Sequence, residues 1–206
     1  PMQKSPTGAD KPASKPTADV KANQSYEQPQ LAPQTQISSE VEGLLNKSKS
    51  RVRSIYYKYK GPETGDYFYD FYIKDNKIKY SPSPEIKYFD QKDSYNFIFI
   101  DKTAKTAQSY CLETCTYLGK KGDLNFNDVY VMTIFDWIGG LTKAEKIGEE
   151  VIDDRSTWKV ETNNGILWLD TFYGIPLKIK SDGVDYRFQQ INVNGVLNSD
   201  VVPPSS

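Results

Sequence analysis

The sequence predicts a mainly β fold of the α+β class, and three observations carry that prediction. Residues 158–195 read as four short strands with tight connections and no helix between them. Asn164-Gly165 and Asp182-Gly183 punctuate period-two alternation there, the signature of an antiparallel meander. A second alternating stretch runs from Ile55 to Ile100. Aromatic residues make up 13% of the chain, with 15 Tyr, a composition that favours strands.

Residues 1–36 form a zone of their own, dominated by Pro, Ser, Thr, Ala, Gln and Lys. Such a segment has too little apolar area to offset its ordering entropy, so an extended linker is expected, with residues 37–206 as one folded domain. Ser38 is a plausible N-cap for a helix over 39–49, where Val41, Leu44 and Leu45 form one apolar stripe. Glu40 and Glu42 at its start and Lys47, Lys49 and Arg51 at its end suit the helix dipole.

Strands follow. Ile55, Tyr57 and Tyr59 alternate with Tyr56 and Lys58, and after a Gly61–Gly65 turn Tyr67, Tyr69, Phe71 and Ile73 alternate with Asp70 and Lys74. Asp75-Asn76 turns the chain into Ile78 and Tyr80, and Pro82 and Pro84 stop that strand. A short piece at 86–89 leads to residues 95–100, apolar on both faces and therefore central, and a hairpin through 101–103 returns along 105–110. Residues 129–138 break the rhythm. Val131, Ile134, Phe135 and Ile138 fall at i, i+3, i+4, i+7, the spacing of a helix face, with Asn127 or Asp128 as cap and Gly139-Gly140 as stop. Such an apolar helix must be covered.

Composition narrows the function classes. With 26 basic and 27 acidic residues the chain has no concentrated basic field, so nucleic acid is not an expected partner. Histidine is absent, which removes Ser/His/Asp and Cys/His nucleophile systems and the commonest zinc ligand. Asp153-Asp154 beside Arg155 reads as a solvated turn rather than a carboxylate pair for catalysis. Neither a calcium loop nor a phosphate-binding glycine loop is present. No enzyme, metal or cofactor is expected. No apolar stretch approaches the ~18 residues of a membrane-spanning helix. The chain begins at Pro1 rather than a methionine, so an N-terminal segment removed by processing or truncation is expected, and an export signal has to be inferred from other features.

Cys111 and Cys115 are the only cysteines. A small-loop disulfide is the first reading, with free buried thiols second and a redox or metal role third. A bond would indicate an oxidising, exported location. Asn23-Gln24-Ser25 and Asn46-Lys47-Ser48 match the glycosylation acceptor pattern, a short pattern that arises often by chance.

The tryptophan strand at Trp158, the Trp168-Leu169-Asp170 strand, the 174–180 strand (GIPLKIK) and the final Phe188…Gly195 strand resemble the C-terminal half of the lipoprotein-localisation carrier superfamily (LolA/LolB-like). The resemblance extends back to residues 55–100, and the Lys, Tyr, Ile and Asn usage with the Cys-x3-Cys insertion looks like archaeal carrier-like homologues. It implies an incomplete, half-open antiparallel β-barrel whose concave face is plugged by helices and accepts acyl chains. On that basis Tyr57, Tyr59, Tyr69, Phe71, Phe97, Phe99, Trp168, Leu177, Ile179, Tyr186 and Phe188 would line the concave side. Leu44, Leu45, Val131, Ile134, Phe135 and Ile138 would form the lid. A filled aromatic core is the competing reading. The family's carrier has an arginine in an early strand that bonds the lid backbone; the matching residues 68–74 here contain none, and Arg53 cannot be matched to it. The implied function is a monomeric, non-enzymatic cell-envelope carrier for a lipid or acylated polypeptide; residues 1–36 read first as a dispensable tail and second as a stalk that tethers the domain to a membrane. An envelope interaction or sensor module of the same fold is the alternative.

Overall fold

Alternating residues become a twelve-stranded sheet in the computed structural model, which describes residues 36–82, 86–87, 94–112 and 121–204. In chain order the elements are β1 (Gln36–Ile37), α1 (Ser39–Arg51), β2 (Ser54–Lys60), β3 (Tyr69–Lys74), β4 (Lys77–Ser81), β5 (Ile86–Lys87), β6 (Ser94–Tyr95), β7 (Phe97–Asp101) and β8 (Thr106–Tyr110). Then come β9 (Lys121–Leu124), α2 (Phe126–Val129), α3 (Ile134–Ile138), β10 (Lys143–Ile152), β11 (Arg155–Thr162), β12 (Gly165–Asp170), β13 (Pro176–Ser181) and β14 (Val184–Val193).

The sheet order is β1-β10-β11-β12-β13-β14-β2-β3-β4-β7-β8-β9. Only the two-residue β1–β10 pairing is parallel; every other neighbour is antiparallel. Two meanders are joined where β14 pairs with β2, Phe188 opposite Tyr59. The end strands β1 and β9 are not neighbours, so the sheet is an open half-barrel. β5 and β6 form a separate two-stranded ladder.

Tight turns set the register. Asp75, Asp153, Asp154, Asp182 and Gly183 all have positive φ, as the two-residue hairpin turns require. Asp153-Asp154 thus sits at the β10–β11 turn. β10 and β9 were not foreseen. The β10 run KAEKIGEEVI is rich in helix-favouring Ala, Glu and Lys, and its place beside β11 overrides that preference.

The helices cover one face, the inner one. Val41, Leu44 and Leu45 of α1 are buried there, each contributing about 1.5–3 kcal/mol of apolar burial. Gly174 makes this approach possible: its φ is +70°, and a Cβ at that position would collide with the backbone of Leu44. Ser38 occupies the N-cap position, but its side chain makes no capping bond.

The helix expected over 129–138 is instead two short pieces, α2 and α3, separated by non-helical residues 130–133, of which Tyr130 and Thr133 are extended. Val129, Val131 and Thr133 are β-branched and disfavour a continuous helix. A polar stop also intervenes: the Asp136 carboxylate accepts from the Thr133 N–H at 2.7 Å and the Thr133 hydroxyl at 2.6 Å, starting α3 afresh. Asn125, rather than Asn127 or Asp128, caps α2 by accepting from the Asn127 N–H at 3.0 Å. Gly139 ends α3, where its N–H bonds the Phe135 carbonyl.

Candidate functional site

Period-two geometry sorts the expected cavity residues onto two faces. Tyr57, Tyr59, Tyr69, Phe71, Ile179, Tyr186 and Phe188 lie on the inner face, cross-strand from one another in register. They fill that space rather than line an opening. Tyr57 stacks on Phe71 with ring centroids 5.4 Å apart, Phe71 stacks on Tyr80 at 5.0 Å, and Phe188 meets Tyr57 edge-on at 5.4 Å. Burial pushes the Tyr57 and Tyr59 phenols far up, so both stay neutral; the Glu63 carboxylate, which accepts from Tyr59 at 2.7 Å, adds to the second shift.

Four of the expected residues belong to the outer face instead. Phe97 lies under the Lys79 ammonium at 5.2 Å, and Phe99 packs edge-on against Tyr110 at 5.3 Å. Trp168 donates from Nε1 to Glu150 at 2.6 Å and is flanked by Lys178 at 4.7 Å and Lys159 at 5.4 Å. Leu177 sits at an irregularity in the β12–β13 ladder and borders an outer hollow with Glu150 and Arg187. The reason is the same for β7 and β12: both are apolar on both faces, so alternation alone does not say which set points in. Ile98, Ile100, Leu167 and Leu169 take the inner positions.

Space remains between the two covers. A cleft of about 430 Å³ is bounded by α1 on one side and by α3 with its following loop on the other. Ile37, Leu45, Val52, Phe135, Ile138 and Leu141 give it apolar walls. Glu42, Asn46, Ser48 and Lys49 stand among them as its polar groups. The volume falls within the roughly 300–1,000 Å³ typical of small-molecule sites. Of the expected lid residues, Leu45, Phe135 and Ile138 line this cleft, while Leu44 and Ile134 are buried beneath the covers. Val131 packs partly against the core from the non-helical link.

The α3 cover is latched by polar groups that the sequence reading missed. Tyr130 donates to Asp136 at 2.7 Å, and Lys102, from the β7–β8 turn, bonds the other carboxylate oxygen at 2.7 Å. Burial alone would raise the Asp136 carboxyl, but the bonds from Lys102, Thr133 and Tyr130 outweigh it and hold the group below the usual carboxylate range. Burial and the Asp136 bond push the Tyr130 phenol up to about 12. Tyr80 on β4 donates to the Val129 carbonyl at 3.0 Å, tying the sheet to the cover's backbone. Trp137 lies beneath α3 against Tyr186, ring centroids 4.8 Å apart. Its i, i+3 spacing from Ile134 was the available signal. The Tyr57 hydroxyl lies against the backbone of Ile134 without a bond of good geometry.

Cys111 is buried at the end of β8, and Cys115 lies outside the described residues. Among the described residues no group of three or more Cys, Asp or Glu side chains is placed to hold a metal ion. No described helix is long and apolar enough to cross a membrane.

No protein-family model and no curated protein sequence matches the chain. Among solved structures it is similar to LprF from Mycobacterium bovis, at 13% identity over 82% of this chain and 99% of that one, with a TM-score of 0.47. It is also similar to the lipoprotein LppX from Mycobacterium tuberculosis, at 12% identity over 78% and 96% of the two chains, with a TM-score of 0.43. MucB, solved in complex with MucA(peri), shows 10% identity over 80% of this chain and 60% of that one, with a TM-score of 0.44.

Proposed function

We propose that this domain is a non-enzymatic, carrier-like protein of the cell envelope that takes an acyl chain of a lipid or lipid-modified polypeptide into the cleft between α1 and α3. The cleft carries this reading: a space of about 430 Å³ with apolar walls, lying mainly between two helices. Helical covers can part without breaking a ladder hydrogen bond, whereas a closed barrel cannot. Each CH₂ taken out of water there contributes about 0.8 kcal/mol. LolA/LolB-like strand order, the half-open sheet, an extracytoplasmic location, a Cys111–Cys115 bond and a tether through residues 1–36 belong to the same proposal.

The packed rings of Tyr57, Phe71, Tyr80 and Phe188 favour a second reading, an envelope interaction module with a filled core. Native mass spectrometry of protein purified from its own host separates the two. Co-purifying lipid mass that detergent exchange removes supports the carrier. A bare polypeptide mass from every preparation supports the module.

A further inference from the structure

The C-terminal end of α1 gathers positive charge that forms no ion pair among the described residues. Between Glu42 and Glu63 the chain carries Lys47, Lys49, Arg51, Arg53, Lys58 and Lys60 and no acidic residue. Lys58 is paired with Asp70 at 3.1 Å. Among the described residues Lys47, Lys49, Arg51 and Arg53 form no ion pair.

Beside this end the turn at 171–173 projects Phe172, which is 60% exposed. The ring is held in place. Lys47 donates to the Thr171 carbonyl at 2.8 Å, and Arg51 donates to the Phe172 carbonyl at 2.8 Å. The Arg51 guanidinium also covers the ring at 4.9 Å. Arg53 is fixed nearby, because Asn194 accepts from its backbone N–H at 2.7 Å while donating to the Arg51 carbonyl at 2.8 Å. A lone exposed ring is ordinary on a protein surface. This one is bordered by Lys47 and Arg51, which form no ion pair among the described residues.

We propose that the α1 C-terminal end with Phe172 is a docking surface for an anionic phospholipid bilayer. An aromatic side chain among Lys and Arg is the composition that lies in a headgroup interface: the ring enters the acyl boundary and the cations face lipid phosphates. Docking is measured without cargo and stands apart from the carrier reading.

The test uses the full chain and vesicles of neutral phosphatidylcholine, with or without phosphatidylglycerol, in a sedimentation assay at several salt concentrations. Binding is expected only to the anionic vesicles and is expected to weaken with salt. Each cation removed should reduce it roughly fivefold. The exposed Arg53→Ala should therefore bind about fivefold more weakly with an unchanged thermal melt. Phe172→Ser should also weaken binding while leaving its salt dependence unchanged. Equal binding to neutral and anionic vesicles, or undiminished binding by these variants, would overturn the proposal. So would a protein that ignores vesicles but binds a soluble polyanion such as heparin, which would assign the surface to an acidic macromolecule. Acyl-probe uptake in vesicle-free solution is read separately: uptake without vesicle binding removes docking and leaves the carrier reading standing.

Discussion

Asp136→Ala removes the acceptor on which four donors converge: Lys102, the Tyr130 hydroxyl, and the N–H and hydroxyl of Thr133, all within 2.6–2.7 Å. Hydrogen bonds to a charged group contribute about 1.5–3 kcal/mol each when buried, but they are not additive here. The Lys102 and Asp136 side chains retain 30% and 24% exposure, so their ion pair is discounted for screening. The Thr133 N–H and the Tyr130 hydroxyl lose their partner, and a loss of about 3 kcal/mol follows, with Asp136→Asn near half of that. For a chain of this size the alanine variant should melt about 6–12 °C lower. The pH dependence has a definite sign. The folded carboxyl lies below its ordinary 3.8, so its contribution is fully present above about pH 5 and is lost as pH falls through the folded value. Urea melts of wild type and Asp136→Asn should therefore differ by a constant amount from neutral pH to about pH 5 and converge on further acidification. Amide exchange within Ile134–Ile138 should quicken before that of β2 and β3, because the latch holds the cover and not the ladder. A cost below about 1 kcal/mol, or a gap that does not narrow in acid, would refute the latch.

Gly174→Ala should cost about 2–3 kcal/mol in a denaturant melt, since a positive φ and the Leu44 backbone both oppose a Cβ; a loss within experimental error would mean α1 can shift outward freely. Cys111 and Cys115 should resist alkylation in native, unreduced protein and gain two carbamidomethyl groups after reduction; labelling without reductant would defeat the proposed bond. Limited digestion with a nonspecific protease should trim the chain to a stable core beginning near Ile37, and trypsin should cut after Lys21; protection of Lys21 would count against the linker proposal.

The β11–β14 meander was legible because Asn-Gly and Asp-Gly turns and one-sided alternation act together, leaving a single register that buries the apolar face. Tyr57, Phe71 and Phe188 could be placed inside for the same reason. Phe97, Phe99 and Trp168 could not, because their strands are apolar on both sides and the deciding term is what each face meets. Ile98 and Ile100 meet the core cluster; the rings meet Lys79, Tyr110 and Lys178. β10 was invisible for a different reason: its helix-favouring residues are held as a strand by pairing with β11, a long-range effect. The break between α2 and α3 hangs on Thr133 and Asp136, a capping pair three residues apart inside an apolar run that hid it. The cleft itself is a relation between α1 and α3, far apart in sequence, and no local pattern reports such a distance.

Titration of a series of fluorescent n-alkyl carboxylates of increasing chain length, on wild type, Ile138→Glu, Phe135→Glu and the outer-face control Phe99→Glu, tests the carrier account most directly. Each added CH₂ that enters the cleft contributes about 0.8 kcal/mol, so affinity should rise about fourfold per carbon until the cleft is full, then level off. Charges at Ile138 and Phe135 should abolish that slope with little change in the melt, because both side chains are only half-buried, while Phe99→Glu should leave the slope intact in the folded fraction. A flat chain-length series in wild type, or a slope that survives both cleft charges, would contradict acyl binding between α1 and α3 and leave the filled-core interaction module in its place.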